Sequence, residues 1–91
     1  MKIIFPLYVL KRMLERRISV ENVRAVLENG EIIEEYKMDV PPRTLMLGWV
    51  NGRPLHVVAE DDPLTQEMTA VTVYEPSRKY WRSEFRERKK K

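Results

Sequence analysis

The chain contains no cysteine, which excludes disulfide bonds and thiolate metal ligands. It also lacks any apolar run long enough to span a bilayer. The apolar stretch KIIFPLYVL near the start is short, contains a proline and has no small-residue cleavage site of the secretory type. No cluster of histidine or carboxylate residues in the sequence has the spacing of metal ligands. We therefore expect a cytoplasmic protein with no metal, no cofactor and no membrane association.

Length and charge indicate one small domain with a basic end. Ninety-one residues, 43% hydrophobic and 34% charged, are enough for a single folded domain over residues 1–91. The net charge is +3, but residues 78–91 hold eight Lys or Arg against two Glu. Such a tail either binds phosphate or only keeps the end soluble. We favour the second role for residues 88–91 and expect residues 86–91 to fray; both roles stay open for Arg82 and Arg86.

Apolar periodicity predicts seven elements in the order ααββββα. Ser19 is a good N-cap for the second helix, and Gly30 would end that helix in the left-handed conformation. Pro76 ends the last strand, and Ser77 could then cap a short C-terminal helix. The other predicted elements are helices over residues 7–17 and 20–28 and strands over residues 31–38, 45–50, 55–60 and 68–75. This order predicts an α+β fold in which two N-terminal helices pack on one face of a four-stranded antiparallel sheet.

The first predicted helix carries an apolar arc that would pack on the sheet, and a cationic row beside it. The arc consists of Leu7, Val9, Leu10, Met13 and Leu14. Tyr8, Arg12 and Arg16 follow i, i+4, i+8 spacing and therefore form a line along one side. We favour a solvated face whose arginine stems cover the core, and the alternative is a row that faces a phosphate.

Asn51-Gly52 predicts a two-residue hairpin turn, because both central residues of a type I′ turn need positive φ. The turn places Val50 opposite Arg53 and Leu47 opposite His56. Side chains alternate along a strand, so one face holds Met46, Gly48, Val50, Leu55 and Val57, and we assign that face to the helices. The opposite face then holds Leu47, Trp49, His56 and Val58, together with Thr72 and Tyr74.

His56 is the only histidine of the chain and the most suggestive residue on that opposite face. It is either an acid–base group or, more commonly for a histidine in an apolar strand, a packed and hydrogen-bonded residue. Trp49 and Tyr74 could likewise line a site, belong to the core or form a dimer interface. Arg53 falls on the other parity, so a bulge or the strand end would be needed to bring it to His56.

Three motifs, LKRMLERRIS-x-E-x-V, LGWVNGRPLHVV and TVYEP followed by W-x-x-x-F-R-x-R, resemble a family of small prokaryotic proteins of unknown function. That family is grouped by fold with RelE-like and other barnase-type ribonuclease toxins. The resemblance covers nearly the whole chain and implies two helices on a four-stranded antiparallel sheet. Members commonly carry a histidine in the first helix where this chain has Tyr8. The motif positions that match are Arg12, Arg16, Arg53, His56 and Tyr74.

The resemblance implies a metal-independent endoribonuclease of the toxin type, in which a ribose 2′-OH attacks the adjacent phosphate. His56 would be the acid or base, since its ordinary pKa is about 6.5. Arg53 and Arg12 would stabilise charge on the phosphate, and Tyr74 would orient it or share proton transfer. Candidate substrate-binding residues are Arg16, Trp49, Tyr8 and Arg82. The expected partners are RNA and an antitoxin protein.

The tyrosine at position 8 motivates an alternative to the ribonuclease. A member that has lost the helix-one histidine could bind RNA or a protein partner without catalysis. Salt-sensitive RNA binding without cleavage would be the mark of this alternative.

Overall fold

The computed structural model describes residues 2–90, which form two helices and five strands. The elements are β1 (Lys2–Ile4), α1 (Leu7–Glu15), α2 (Val20–Asn29), β2 (Glu31–Tyr36), β3 (Arg43–Val50), β4 (Arg53–Asp62) and β5 (Glu67–Tyr74). The α+β class is therefore as predicted, and so is the total of seven elements, but within residues 2–90 the structure has a fifth strand at the start of the chain and no helix at its end. No helix in this range is long and apolar enough to cross a membrane.

The sheet has one strand more than predicted and is mixed. Its order is β1-β5-β4-β3-β2, in which β1 runs parallel to β5 and the other neighbours are antiparallel. The prediction of a four-stranded antiparallel sheet is wrong. β1 pairs through only three residues, and the side chains of Lys2 and Glu67 form an ion pair of 3.1 Å beside this pairing. A strand this short shows no readable period of two, so only contacts distant in sequence reveal it.

The prediction of a C-terminal helix is also wrong. Residues 76–90, here called the C-terminal segment, form turns and one antiparallel bridge between Trp81 and Arg88. Trp81 and Phe85 are buried against the sheet. Phe85 has a φ of 63°, which is incompatible with a right-handed helix. An isolated short helix is only marginally stable, so the burial of two aromatic rings determines the conformation here.

The central hairpin forms as predicted. Asn51 and Gly52 have φ values of 53° and 77°, and β3 pairs with β4 so that Val50 lies opposite Arg53 and Leu47 opposite His56. Between β4 and β5 the register shifts after Val58, which leaves Val71 as an extra residue. The hairpin therefore sets which side chains share a face over most of the sheet.

The two helices cover one face of the sheet, here called the helix face. Val9 and Met13 of α1 and Val23, Val26 and Leu27 of α2 pack there in one core with residues of β3, β4 and β5. A Cβ added at Gly48 would lie 2.7 Å from Cγ2 of Val26, so the glycine lets α2 approach β3 closely. Gly30 ends α2 with a φ of −77°, and the predicted left-handed conformation is wrong. Its role is also close approach, because an added Cβ would lie 2.6 Å from the carbonyl oxygen of Leu47.

Helix α1 buries a narrower stripe than its apolar arc predicts. Val9 and Met13 are buried, but Leu7 and Leu14 keep 67% and 81% of their surface exposed. The helix packs mainly on β5, near the edge of the sheet, so only one side of it meets other elements. Leu7 and Leu14 consequently lie outside the core.

The opposite sheet face, here called the outer face, has its own smaller core. Leu45 and Leu47 of β3 pack there against Trp81 and Phe85 of the C-terminal segment. The face predicted to be an open concave site is therefore largely covered by the end of the chain.

Candidate functional site

His56 lies on β4 at the centre of the outer face and is fully buried. Its Nε2–H donates to the carbonyl oxygen of Phe85 at 2.8 Å. Because that carbonyl can only accept, the proton of the neutral ring is on Nε2, and Nδ1 accepts from the hydroxyl of Tyr74 at 3.1 Å. The ring of Trp81 packs edge-on against the imidazole, with 4.4 Å between centroids. Both ring nitrogens of His56 are thus occupied by intramolecular partners.

The surroundings of His56 favour its neutral form. Burial lowers the pKa of His56 below its ordinary value of 6.5, although the Phe85 carbonyl and Glu34 partly oppose that shift. Burial also raises the pKa of Tyr74 above its ordinary value of 10. At neutral pH both groups are therefore uncharged, and their mutual hydrogen bond is between neutral partners. The geometry is that of the packed, hydrogen-bonded histidine weighed as the alternative above.

Three residues near His56, namely Glu34, Tyr36 and Arg88, were not predicted as site residues from the sequence. Glu34 on β2 accepts hydrogen bonds from Nε and Nη2 of Arg88, at 3.0 and 3.1 Å, and from the hydroxyl of Tyr36. The guanidinium of Arg88 also lies 4.7 Å from the centroid of the Trp81 ring. The hydrogen bonds from Arg88 lower the pKa of Glu34, which keeps this carboxylate ionised. Side chains alternate along β2 on either side of its register shift at Ile32/Glu34, so the sequence could have indicated that Glu34 and Tyr36 share a face. No sequence signal pairs these two residues with Arg88.

Arg53 lies on the helix face, as its register predicts, and does not reach His56. Nη1 and Nη2 of Arg53 donate to the carbonyl oxygens of Arg17 and Arg16, at 2.7 and 2.6 Å, and Nε pairs with the carboxylate of Glu75. These two carbonyls follow the last turn of α1, where backbone acceptors lack helical partners. All three guanidinium nitrogens are engaged, and the contacts join α1 to β4 and to the end of β5.

The cationic row of α1 lines a groove between α1 and β5. Tyr8, Arg12 and Arg16 form one wall of this groove. Arg16 donates from Nη1 to the carbonyl oxygen of Val73 at 2.7 Å, and Arg12 forms an exposed ion pair of 3.3 Å with Glu15. The row therefore exists as predicted, but Arg16 is used to satisfy a backbone acceptor of β5.

The predicted site residues do not converge on one space. His56 and Tyr74 meet on the outer face, whereas Arg53 and the cationic row lie on the helix side. Trp49 is half exposed on the outer face, with its ring centroid 5.9 Å from that of Phe85. Arg82 is on the C-terminal segment. Among residues 2–90, no group of three or more His, Asp or Glu is placed to hold a metal ion.

The outward side of the C-terminal segment carries cations and an aromatic ring. The amide of Arg82 donates to the carbonyl of Glu87 and the amide of Lys89 to that of Tyr80, both at 2.8 Å, on either side of the Trp81–Arg88 bridge. Side chains alternate across such a pairing, so Trp81 points towards the sheet and its neighbours point away. Tyr80 is 62% exposed as a result. Of these residues, only Arg82 was predicted from the sequence as a binding residue; no sequence signal indicates Arg78, Tyr80 or Lys89.

Comparison with known families identifies the domain but not its activity. Residues 9–75 match a domain of unknown function, DUF4258. The chain belongs to the DUF4258 family. No curated protein and no solved structure matches it. The matched range of this DUF4258 protein begins inside α1, just after Tyr8, and ends before the C-terminal segment. It includes His56, Tyr74 and both glycines of the helix face.

Proposed function

We propose that this DUF4258 protein binds RNA without cleaving it. The observation that carries the proposal is a contrast between two sets of polar groups. The acid–base candidate His56 is buried with both nitrogens bonded, and the guanidinium of Arg53 is fully engaged. Arg78, Arg82 and Lys89 of the C-terminal segment instead face outward, and Tyr80 of the same segment is exposed.

Cleavage by 2′-OH attack needs a base and an acid that can reach the ribose and the leaving oxygen. His56 has no exposed surface, and burial lowers its pKa, which disfavours the protonated form that an acid requires. The candidate phosphate ligand Arg53 is on the other side of the sheet. These features support binding over catalysis in this conformation of the C-terminal segment.

Three features favour RNA as the ligand. Arg78, Arg82 and Lys89 border one depression on the protein surface, where guanidinium and ammonium groups suit phosphate oxygens. Tyr80 and Trp49 are exposed aromatic rings on which unpaired bases could stack. The motifs also resemble those of a family grouped with RelE-like and barnase-type ribonucleases, and RNA is the substrate of such enzymes. Together they support binding of single-stranded RNA along the C-terminal segment.

Binding and cleavage can be measured on the same RNA. Fluorescence anisotropy with a labelled single-stranded oligonucleotide would follow binding over a range of salt concentrations, and a gel would show whether the RNA stays intact. Each phosphate contact to a single strand contributes about −0.7 to the slope of log K against log salt. Arg82→Gln/Lys89→Gln should weaken binding and make that slope less steep by about 1.4.

Lys11→Gln/Arg24→Gln is the matched control, because it removes two charges from exposed residues of α1 and α2. It should bind RNA as the unsubstituted protein does. Equal loss of affinity in both double variants would show non-specific attraction and contradict the proposed surface. RNA cleavage that disappears in a His56→Ala variant that is still folded, as its circular dichroism would show, would instead favour the ribonuclease.

A further inference from the structure

We infer that the depression bordered by Arg78, Arg82 and Lys89 is a subsite for a terminal phosphate monoester. This inference deepens the proposed function, because it states which group of the RNA the C-terminal segment takes. Trp81 and Ser83 complete the lining of the depression, whose volume is about 410 Å³.

The backbone of the C-terminal segment brings the three cations together. The Trp81–Arg88 bridge holds two short stretches of the segment side by side. It places Arg82 and Lys89 on the same outward side. The amides of Tyr80 and Trp81 donate to the carbonyl of Ser77 at 3.1 Å, which turns the chain so that Arg78 borders the same depression. The buried ring of Trp81 anchors this arrangement to the sheet. The subsite is thus held by backbone hydrogen bonds and one buried side chain.

Most other arginines that could bind an anion are already neutralised. Arg12, Arg43, Arg53, Arg86 and Arg88 each have a carboxylate oxygen within 3.3 Å. Among residues 2–90, Arg78 and Lys89 have no carboxylate within 4.0 Å, and Arg82 has only a loose contact of 3.7 Å with Glu87. This depression therefore brings together two cations that have no carboxylate partner among residues 2–90 and a third that has only a loose one.

The charge at the depression matches a phosphate monoester better than a phosphodiester. Three cations and the nearby carboxylate of Glu87 leave an excess of two positive charges, while Glu84 is held by Arg86. A phosphate monoester carries a charge of about −1.5 to −2 at neutral pH, with three terminal oxygens to accept hydrogen bonds. A backbone phosphodiester carries a single negative charge. The end of an RNA strand, rather than its interior, is thus the better partner for this subsite.

Oligonucleotides that differ only at one end provide the test. One sequence would be prepared with a 5′-phosphate, with a 3′-phosphate and with no terminal phosphate. Each phosphorylated form would carry its fluorescent label at the opposite end and would be compared by anisotropy with a hydroxyl form labelled at that same end. At least one phosphorylated form should bind about tenfold more tightly than the hydroxyl form. Arg78→Gln/Arg82→Gln should abolish this preference, whereas Lys11→Gln/Arg24→Gln should retain it.

The possible failures separate this inference from the proposed function. Equal binding of all three RNAs would overturn the subsite and leave RNA binding in place. If no RNA binds, the proposed function fails, and inorganic phosphate then tests the subsite through the amide resonances of Trp81 and Ser83, which line the depression. Shifts that saturate and that vanish in Arg78→Gln/Arg82→Gln would support the subsite, and unchanged resonances would overturn it.

Discussion

The imidazole of His56 and the carbonyl oxygen of Phe85 are joined by a hydrogen bond of 2.8 Å across 29 residues of chain. Phe85 adopts a φ of 63°, which is rare for a bulky side chain and needs support from surrounding contacts. The buried ring of Phe85 and the bond from His56 provide that support. His56 therefore links the strand that the family match covers to the segment that lies beyond it.

Replacing His56 by alanine should reduce the free energy of unfolding by about 2–4 kcal/mol. The substitution leaves a cavity and removes the partners of the Phe85 carbonyl and the Tyr74 hydroxyl. Tyr74→Phe removes one hydroxyl only and should cost about 1 kcal/mol. Urea denaturation measures both values. A loss below 1 kcal/mol for His56→Ala would contradict the structural role of this residue.

Acid should weaken the protein in two separate pH ranges. Because burial makes the pKa of His56 lower in the folded chain, its unfolded form binds more protons below 6.5, and stability falls as the pH drops below that value. The pKa of Glu34 is also lowered, chiefly by Arg88, so its contribution is present above 4.5 and is lost only in stronger acid. Urea midpoints across this range would show the first decline. His56→Gln should remove it, and a decline that persists in that variant would contradict the assignment.

The sequence predicts well which residues pair across the central hairpin. It predicts poorly which distant segments pack over the sheet. Asn51-Gly52 requires positive φ, so the hairpin register follows, and with it the separation of Arg53 from His56. The side of the sheet on which Tyr74 meets His56 was also predictable from alternation. β1 and the C-terminal segment were not, because three paired residues and one bridge carry no periodic signal. What covers His56 depends on Trp81, Phe85 and Arg88, whose contacts form only in the assembled fold.

Replacing Arg53 by lysine should lower the free energy of unfolding by about 1–3 kcal/mol. An ammonium group cannot reproduce the planar fork that donates to the carbonyls of Arg16 and Arg17 and to Glu75. Arg24→Lys, at an exposed position of α2, should change the free energy of unfolding by less than about 0.5 kcal/mol. Equal stability of the two variants would contradict the structural role of Arg53 and favour a role in substrate binding instead.

Replacing Gly48 by alanine should lower the free energy of unfolding by about 1–3 kcal/mol, because the new methyl group would overlap Val26. Val26→Ala alone should cost about 2 kcal/mol, since Val26 is buried in the core of the helix face. In the double variant the loss of Cγ2 removes the closest contact, at 2.7 Å, and leaves the milder contacts with Cβ and Cα of residue 26, at 3.1 and 3.2 Å. The combined loss should therefore be smaller than the sum of the single losses by about 1 kcal/mol or more in a urea-denaturation cycle. Additive losses would contradict this contact, because they would mean that α2 moves away from β3 and that Val26 no longer limits the space at position 48.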